Sequence, residues 1–277
     1  MQIRTPAVAG MFYPDEKNKL TKLIDECFLH PYGPGNKPPS DFEKKIFGVI
    51  CPHAGFVYSG PIACNSIFSI SGMSPELFII VGPNHWGIGR SVATMKECEW
   101  ETPLGKVEVD TNAAVEIAAV SKNIELDFFS HTREHSLEVQ IPILQKTFSN
   151  FKILPIALIN QSKEVAKDVG MAIAKIARKR NCMIIGSSDF THYESNDFAH
   201  EQDMALIRPI LEMDVDRFYD ILQERKVTSC GYGAVASTMI ACKELGATKG
   251  ELLRYATSGD VTGDTSSVVG YGSIIFN

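Results

Sequence analysis

The stretch IFGVICPHAG at 46–55 is an apolar run that breaks off into Pro52-His53-Ala54-Gly55, and the same pattern returns twice. LFIIV at 77–81 leads into Gly82-Pro83-Asn84-His85-Trp86. The run at 182–185 leads into Gly186-Ser187-Ser188-Asp189-Phe190-Thr191-His192. Short, uninterrupted apolar runs bounded by turn residues read as strands buried on both faces. Open α/β sheets place their ligand sites just beyond the carboxyl ends of such strands. Three strand ends that each carry an imidazole therefore predict one convergent pocket of metal-binding character.

Outward from these runs the pattern alternates. Helices are expected at 16–29, 62–70, 111–120 (with Asp110 as N-cap), 137–148, 164–179, 200–213, 215–224 and 234–245, the last ended by Gly246. Further strands are expected at 151–158, 252–257 and 268–276, with an extended excursion at 92–102. Pro155 predicts an edge position or an early end for its strand. The segment 258–264 reads as a glycine-rich turn. Strand–helix–strand order favours parallel pairing through crossovers. The fold class is α/β: a three-layer sandwich whose mostly parallel or mixed central sheet is flanked by helices.

With 277 residues, 44% of them hydrophobic, the chain can bury a large core, and no linker divides it. The one Pro/Gly/Ser-rich loop, 31–41, is too near the N-terminus to separate two domains, so a single domain over 1–277 is expected. A net charge of −6 argues against a nucleic-acid surface. The basic run KIARKR at 175–180 suits the C-terminal end of a helix. No apolar run spans a bilayer and the N-terminus lacks a signal peptide's apolar region, so no membrane role is expected. Seven cysteines without a CxxC pair suit a reducing cytoplasm.

Neutral imidazole is a good ligand for Fe, Zn, Cu and Ni, and His53 and His85 are the leading candidates. Glycine and proline beside them make tight loops and let the backbone come close. Asp189 and His192 stand three apart; on a helix they would share a face, with Asp189 orienting an imidazole and His192 moving a proton. The alternative makes Ser188 or Asp189 an N-cap. Ser188 as nucleophile lacks the second glycine of a G-x-S-x-G elbow. His131-Thr132-Arg133-Glu134-His135 formally matches the inverted zinc-peptidase motif, which needs a helix to project both imidazoles to one side. Against it stands a reading in which His135 and Glu138 line the pocket and Arg133 meets an anionic substrate. Cys230, in Ser229-Cys230-Gly231-Tyr232-Gly233 at the mouth of a helix, is expected to have a lowered pKa and to serve as ligand or nucleophile.

TPAVAGMFYP at 5–14, PHAG at 52–55 with Tyr58-Ser59-Gly60, GPNH at 82–85, EHSLEVQIPILQ at 134–145, SSDFTHY at 187–193, SCGYG at 229–233 and the closing Gly270-Tyr271-Gly272-Ser273 together resemble the Memo family, in its microbial form. The resemblance implies a fold similar to the class III extradiol ring-cleavage dioxygenases, which hold non-haem Fe(II) with two histidines and a glutamate. His53 and His85 match the two histidines, and Cys230 falls where Memo proteins carry cysteine instead of the carboxylate. Asp189, His192 and His135 match the remaining polar pocket residues, with His192 near the dioxygenases' acid/base histidine. Thiolate is softer than carboxylate and suits Cu or Zn as well as Fe(II).

The resemblance thus implies the pocket more firmly than it implies ring cleavage. Three functions compete: a metal-dependent redox enzyme, a peptide- or protein-binding module with a vestigial metal site, or a zinc-dependent hydrolase. The resemblance also implies a link to proteins with AMMECR1 domains and to radical-SAM proteins. The expected occupant is a small molecule or a peptide.

Overall fold

A computed structural model describes residues 2–40 and 44–277. Asp41, the last residue of the loop expected at 31–41, lies outside the described residues. The first part of the chain contains β1 (Gln2–Arg4), α1 (Lys17–Leu29), β2 (Gly48–Cys51), α2 (Phe56–Ile70) and β3 (Leu77–Pro83). There follow β4 (Val92–Thr94), β5 (Cys98–Thr102), β6 (Gly105–Glu108), α3 (Thr111–Val120), β7 (Ile124–Leu126) and α4 (Gln140–Thr147). The second half holds β8 (Lys152–Leu158), α5 (Lys163–Ala177), β9 (Cys182–Ser187), β10 (His192–Glu194), α6 (Asn196–Leu211) and α7 (Val215–Arg225). It closes with α8 (Tyr232–Leu245), β11 (Gly250–Thr257), α9 (Ser258–Thr262) and β12 (Val268–Phe276).

The main sheet runs β10-β12-β2-β9-β3-β8-β4-β7, with β11 also paired to β12. Its centre is parallel: β2 with β9, β9 with β3, and β3 with β8. β12 and β4 join antiparallel on either side, so the sheet is mixed. Every residue of β3 is buried. Leu77, Ile79 and Val81 pack with α3, α5 and α8, while Phe78 and Ile80 pack with α1, α2 and α4. The period-two alternation that separates these sets is what a strand covered on both faces requires. Helices on both faces complete the three layers. A smaller sheet, β1-β5-β6, stands apart.

Local signals account for many boundaries. Asp110 caps α3 by accepting from Ala113 N–H, and Ser162 caps α5 by accepting from Val165 N–H. Gly246 ends α8 in the left-handed region. The basic run at the end of α5 is spent on ion pairs, Arg178 with Glu244 and Lys179 and Arg180 with Glu116. Among the described residues no helix is long and apolar enough to cross a membrane.

Four expectations need correction. The helix expected at 62–70 begins at Phe56, because the Phe12 carbonyl accepts the Phe56 N–H that would otherwise be orphaned at its start. The helix expected from 137 starts at Gln140. Pro155 does not put β8 at the edge: β3 pairs along its whole length. On the other side β4 pairs only with Ala157 and Leu158, and Val109 bridges Ile153, so the missing N–H of Pro155 falls in a gap. The glycine-rich turn at 258–264 is largely a short helix, α9, opened by a reciprocal capping box between Thr257 and Asp260 and ended by Gly263.

The N-terminal segment is fastened by a buried ion pair. The Arg4 guanidinium lies 4.3 Å over the Trp100 ring and donates to the carbonyls of His131 (3.0 Å) and Glu134 (2.6 Å) and to the Glu138 carboxylate. Glu138 also accepts from Ala7 N–H (2.8 Å), Val8 N–H (3.1 Å) and Tyr13 O–H (2.5 Å). Glu138→Ala strands the guanidinium in the interior, and removing one partner of a buried pair costs about 3–5 kcal/mol. Chemical denaturation should show a loss of that size; a change below about 1 kcal/mol would place the pair among the weak ones.

Candidate metal centre

Because β2, β9 and β3 are parallel neighbours, their carboxyl ends meet at one edge and bring the three histidine-bearing loops together. His53 follows β2 and is buried. Its N–H donates to Asp189 Oδ1 at 2.8 Å, and its Nδ1 lies 2.9 Å from Ser187 Oγ. Ser187 gives its own proton to the Ser136 carbonyl at 2.7 Å and accepts from Gln140 Nε2 at 3.1 Å. That hydroxyl has no second proton to offer, so the network assigns the proton to His53 Nδ1. The lone pair is left on Nε2, which stands 3.1 Å from Cys230 Sγ.

His85 is set by the same logic with a carboxylate. Its Nδ1 meets Glu134 Oε1 at 2.9 Å and its backbone N–H donates to Glu134 Oε2 at 2.5 Å. Glu134 also takes the N–H groups of His135 (2.9 Å) and Ser136 (2.7 Å). Burial raises the Glu134 pKa, but the His85 bond and the other donors outweigh it and hold the carboxyl at about 2. A carboxylate on Nδ1 fixes the tautomer and leaves Nε2 as the free donor atom, a common support for metal-bound histidine.

The His135 ring stacks on His85 at 4.5 Å, and His53 meets both edge-on at 5.1 and 5.5 Å. Burial pushes His53 well below the usual imidazole range, with His85, His135 and His192 adding to the shift. Burial likewise lowers His135 to about 4. Both rings are therefore neutral at physiological pH, the form in which imidazole binds metal.

Cys230 precedes α8 and completes the cluster: one donor atom from each of His53, His85 and Cys230 lies within 4.8 Å of the other two. Two imidazole nitrogens and a sulfur on one spot suit a first-row transition ion. The lowered thiol pKa expected from the helix N-terminus is not found. Burial and the neighbouring Asp189 carboxylate push it well up, and they outweigh the partial positive charge at the start of the helix.

His192 and Asp189 line the same cleft, of about 820 Å³, with His53, His85, His135 and Cys230. The helical turn expected to align Asp189 and His192 does not form; the chain enters β10 at His192. Asp189 orients no imidazole ring, since its carboxylate holds the backbone N–H of His53. Burial pushes its carboxyl up to about 6. His192 Nδ1 lies 2.7 Å from the Phe190 carbonyl, which fixes the proton there and leaves Nε2 as acceptor. Ser188 is buried against Gly231 N–H and the Asp189 carbonyl, and is neither a cap of its own segment nor an open nucleophile.

The inverted zinc-peptidase motif is not assembled. His131 lies in a single 3-10 turn (Phe129–His131), fully buried, with its ring 5.9 Å from Trp100. Glu138 does not line the cleft, because it serves Arg4 and the N-terminal segment. Arg133 is exposed, stacks over Trp86 at 5.5 Å, and does not line the cleft. Among the described residues that line the cleft none is Lys or Arg, and Phe12, Tyr58, Tyr193 and Tyr271 supply aromatic walls.

Sequence reasoning missed the supports of the two histidines: Glu134 for His85, and Ser187 with Gln140 for His53. All three lie inside the family-like segments, but nothing in their spacing reveals which ring each one holds. Glu134→Gln should weaken metal binding by about 10–100-fold, as loss of such supports does. Competition titration with a chromophoric chelator measures it; wild-type affinity in the variant would contradict the role given to Glu134.

A family model described as Memo-like protein matches residues 4–275. A MEMO1 family protein of Nitrosopumilus maritimus (strain SCM1) is 65% identical, with 99% of each chain covered. Another, from Methanothermobacter thermautotrophicus, is 46% identical over 98% of this chain and 99% of its own. In structure, an uncharacterized protein from Escherichia coli K12 superposes with a TM-score of 0.60 at 11% identity, over 84% of this chain and all of its own, a likeness of fold alone. The family model over nearly the whole chain and relatives of this identity agree: the chain belongs to the Memo family.

Proposed function

We propose that this protein is a metal-dependent redox enzyme of dioxygenase-like character, with His53, His85 and Cys230 as ligands to Fe(II) or Cu. The observation that carries the reading is the convergence of those three donors on the floor of an aromatic-walled cleft. A redox-active ion bound there supplies electron exchange with a substrate and an external oxidant. The chain's own groups do the rest. His192 Nε2, with its lone pair free, takes or returns a proton at the substrate. Asp189 holds the His53 loop, and His135 backs the His85 ring. Phe12, Tyr58 and Tyr271 bind and orient an aromatic or apolar occupant.

The absence of Lys and Arg from the described lining disfavours a phosphorylated occupant, which confines the module reading to an unphosphorylated peptide or protein. The zinc-hydrolase reading draws on a specific observation, since two histidines and a cysteine are also a catalytic zinc set.

Anaerobic purification followed by metal analysis separates these readings. Stoichiometric iron or copper, lost in His53→Ala and in Cys230→Ser, is the expected result. Zinc with no consumption of O₂ would favour hydrolysis. Full metal retention in both variants would sink the assigned ligand set.

A further inference from the structure

Cys230 stands where α8 begins, and that helix has no side-chain cap of its own, its N-cap residue being Gly231. The N–H groups of its first turn are satisfied from elsewhere in the fold. Gly231 N–H donates to Ser188 Oγ at 3.1 Å, and Gly233 N–H donates to Gln161 Oε1 at 2.8 Å. The other end of the same amide, Gln161 Nε2, donates to the Cys230 carbonyl at 2.8 Å. One side chain thus grips the backbone at Cys230 and again three residues on. The backbone of Gln161 is held in turn, since Tyr219 O–H donates to its main-chain carbonyl at 2.8 Å.

The packing is close as well as polar. A Cβ at Gly233 would stand 2.7 Å from Gln161 Cβ, so glycine at that position lets the amide reach both groups. On the opposite side Cys230 N–H donates to the Asp189 carbonyl at 3.3 Å. The thiol-bearing residue is therefore clamped between the loop after β9 and the loop after β8.

We propose that Gln161 is a positioning residue for the metal centre, setting the direction of the Cys230 Cα–Cβ bond so that the sulfur faces His53 and His85. The proposal rests on the ligand set given above. A primary amide suits this place because it offers a donor and an acceptor at once; glutamate offers only the acceptor, and leucine neither.

The test loads the full-length protein anaerobically with Co(II). Thiolate-to-cobalt charge-transfer absorption in the near ultraviolet reports the metal–sulfur bond, and the visible ligand-field bands report the metal itself. Wild-type protein should show both, and Cys230→Ser should lose the charge-transfer band. Q161L should bind Co(II) about ten-fold more weakly, with charge transfer reduced relative to the ligand-field bands. Q161E keeps the acceptor for Gly233 N–H but loses the donor to the Cys230 carbonyl, so it should stay folded and show the same spectroscopic loss. If Q161L fails to fold, Q161E decides. No charge-transfer band in wild-type protein would overturn the ligand set and this proposal with it. A wild-type band that is lost in Cys230→Ser but unchanged in both Gln161 variants would overturn this proposal alone.

Discussion

Parallel pairing of β2, β9 and β3 is the constraint on which the rest of the molecule depends, because it sends three loops out of the same end of three adjacent strands. Cys51 pairs with Ser187 and Val81 with Gly186, so the loops that follow share a floor. Burial on both faces makes this register costly to change, since a slip by one residue would swap Phe78 and Ile80 with Ile79 and Val81 between two differently shaped cores. The precision of the site is thus inherited from apolar packing some distance from it.

Above that floor three of the four imidazoles of the cleft have a hydrogen-bond partner at Nδ1, which leaves Nε2 for a ligand or, in His53, for the contact with Cys230 Sγ. Ser187 is that partner for His53, Glu134 for His85 and the Phe190 carbonyl for His192. The cost of burying such groups is met by hydrogen bonds that are themselves complete: Glu134 takes four N–H donors, and Ser187 is shared among His53, Ser136 and Gln140. Burial keeps His53 and His135 neutral and the Cys230 thiol protonated in the absence of a cation. A bound cation would displace that proton, which couples metal binding to pH.

Much of this was legible in the sequence because the relevant signals are local. Apolar runs that end in Pro52-His53, Asn84-His85 and Ser188-Asp189 announce strands and their ligand ends. Asp110 and Gly246 announce helix boundaries, and Cys230 stands out at a helix mouth, with the likeness to a family giving it the place of the third ligand. The failures were of two kinds. Some came from partners far along the chain: Phe12 extends α2, and Arg4 draws Glu138 away from the cleft. Others came from opposing effects whose balance spacing does not reveal, as where burial and Asp189 outweigh the helix N-terminus at Cys230. The HTREH segment shows both, since a helical motif in one dimension became a 3-10 turn with His131 packed on Trp100 and Glu134 committed to His85.

The most direct test of the account is X-ray absorption at the metal edge of the anaerobically loaded protein. A site formed by His53, His85 and Cys230 predicts one directly bonded sulfur scatterer together with imidazole nitrogens. A shell of nitrogen and oxygen alone, with no sulfur and no change on substitution of Cys230, would contradict it.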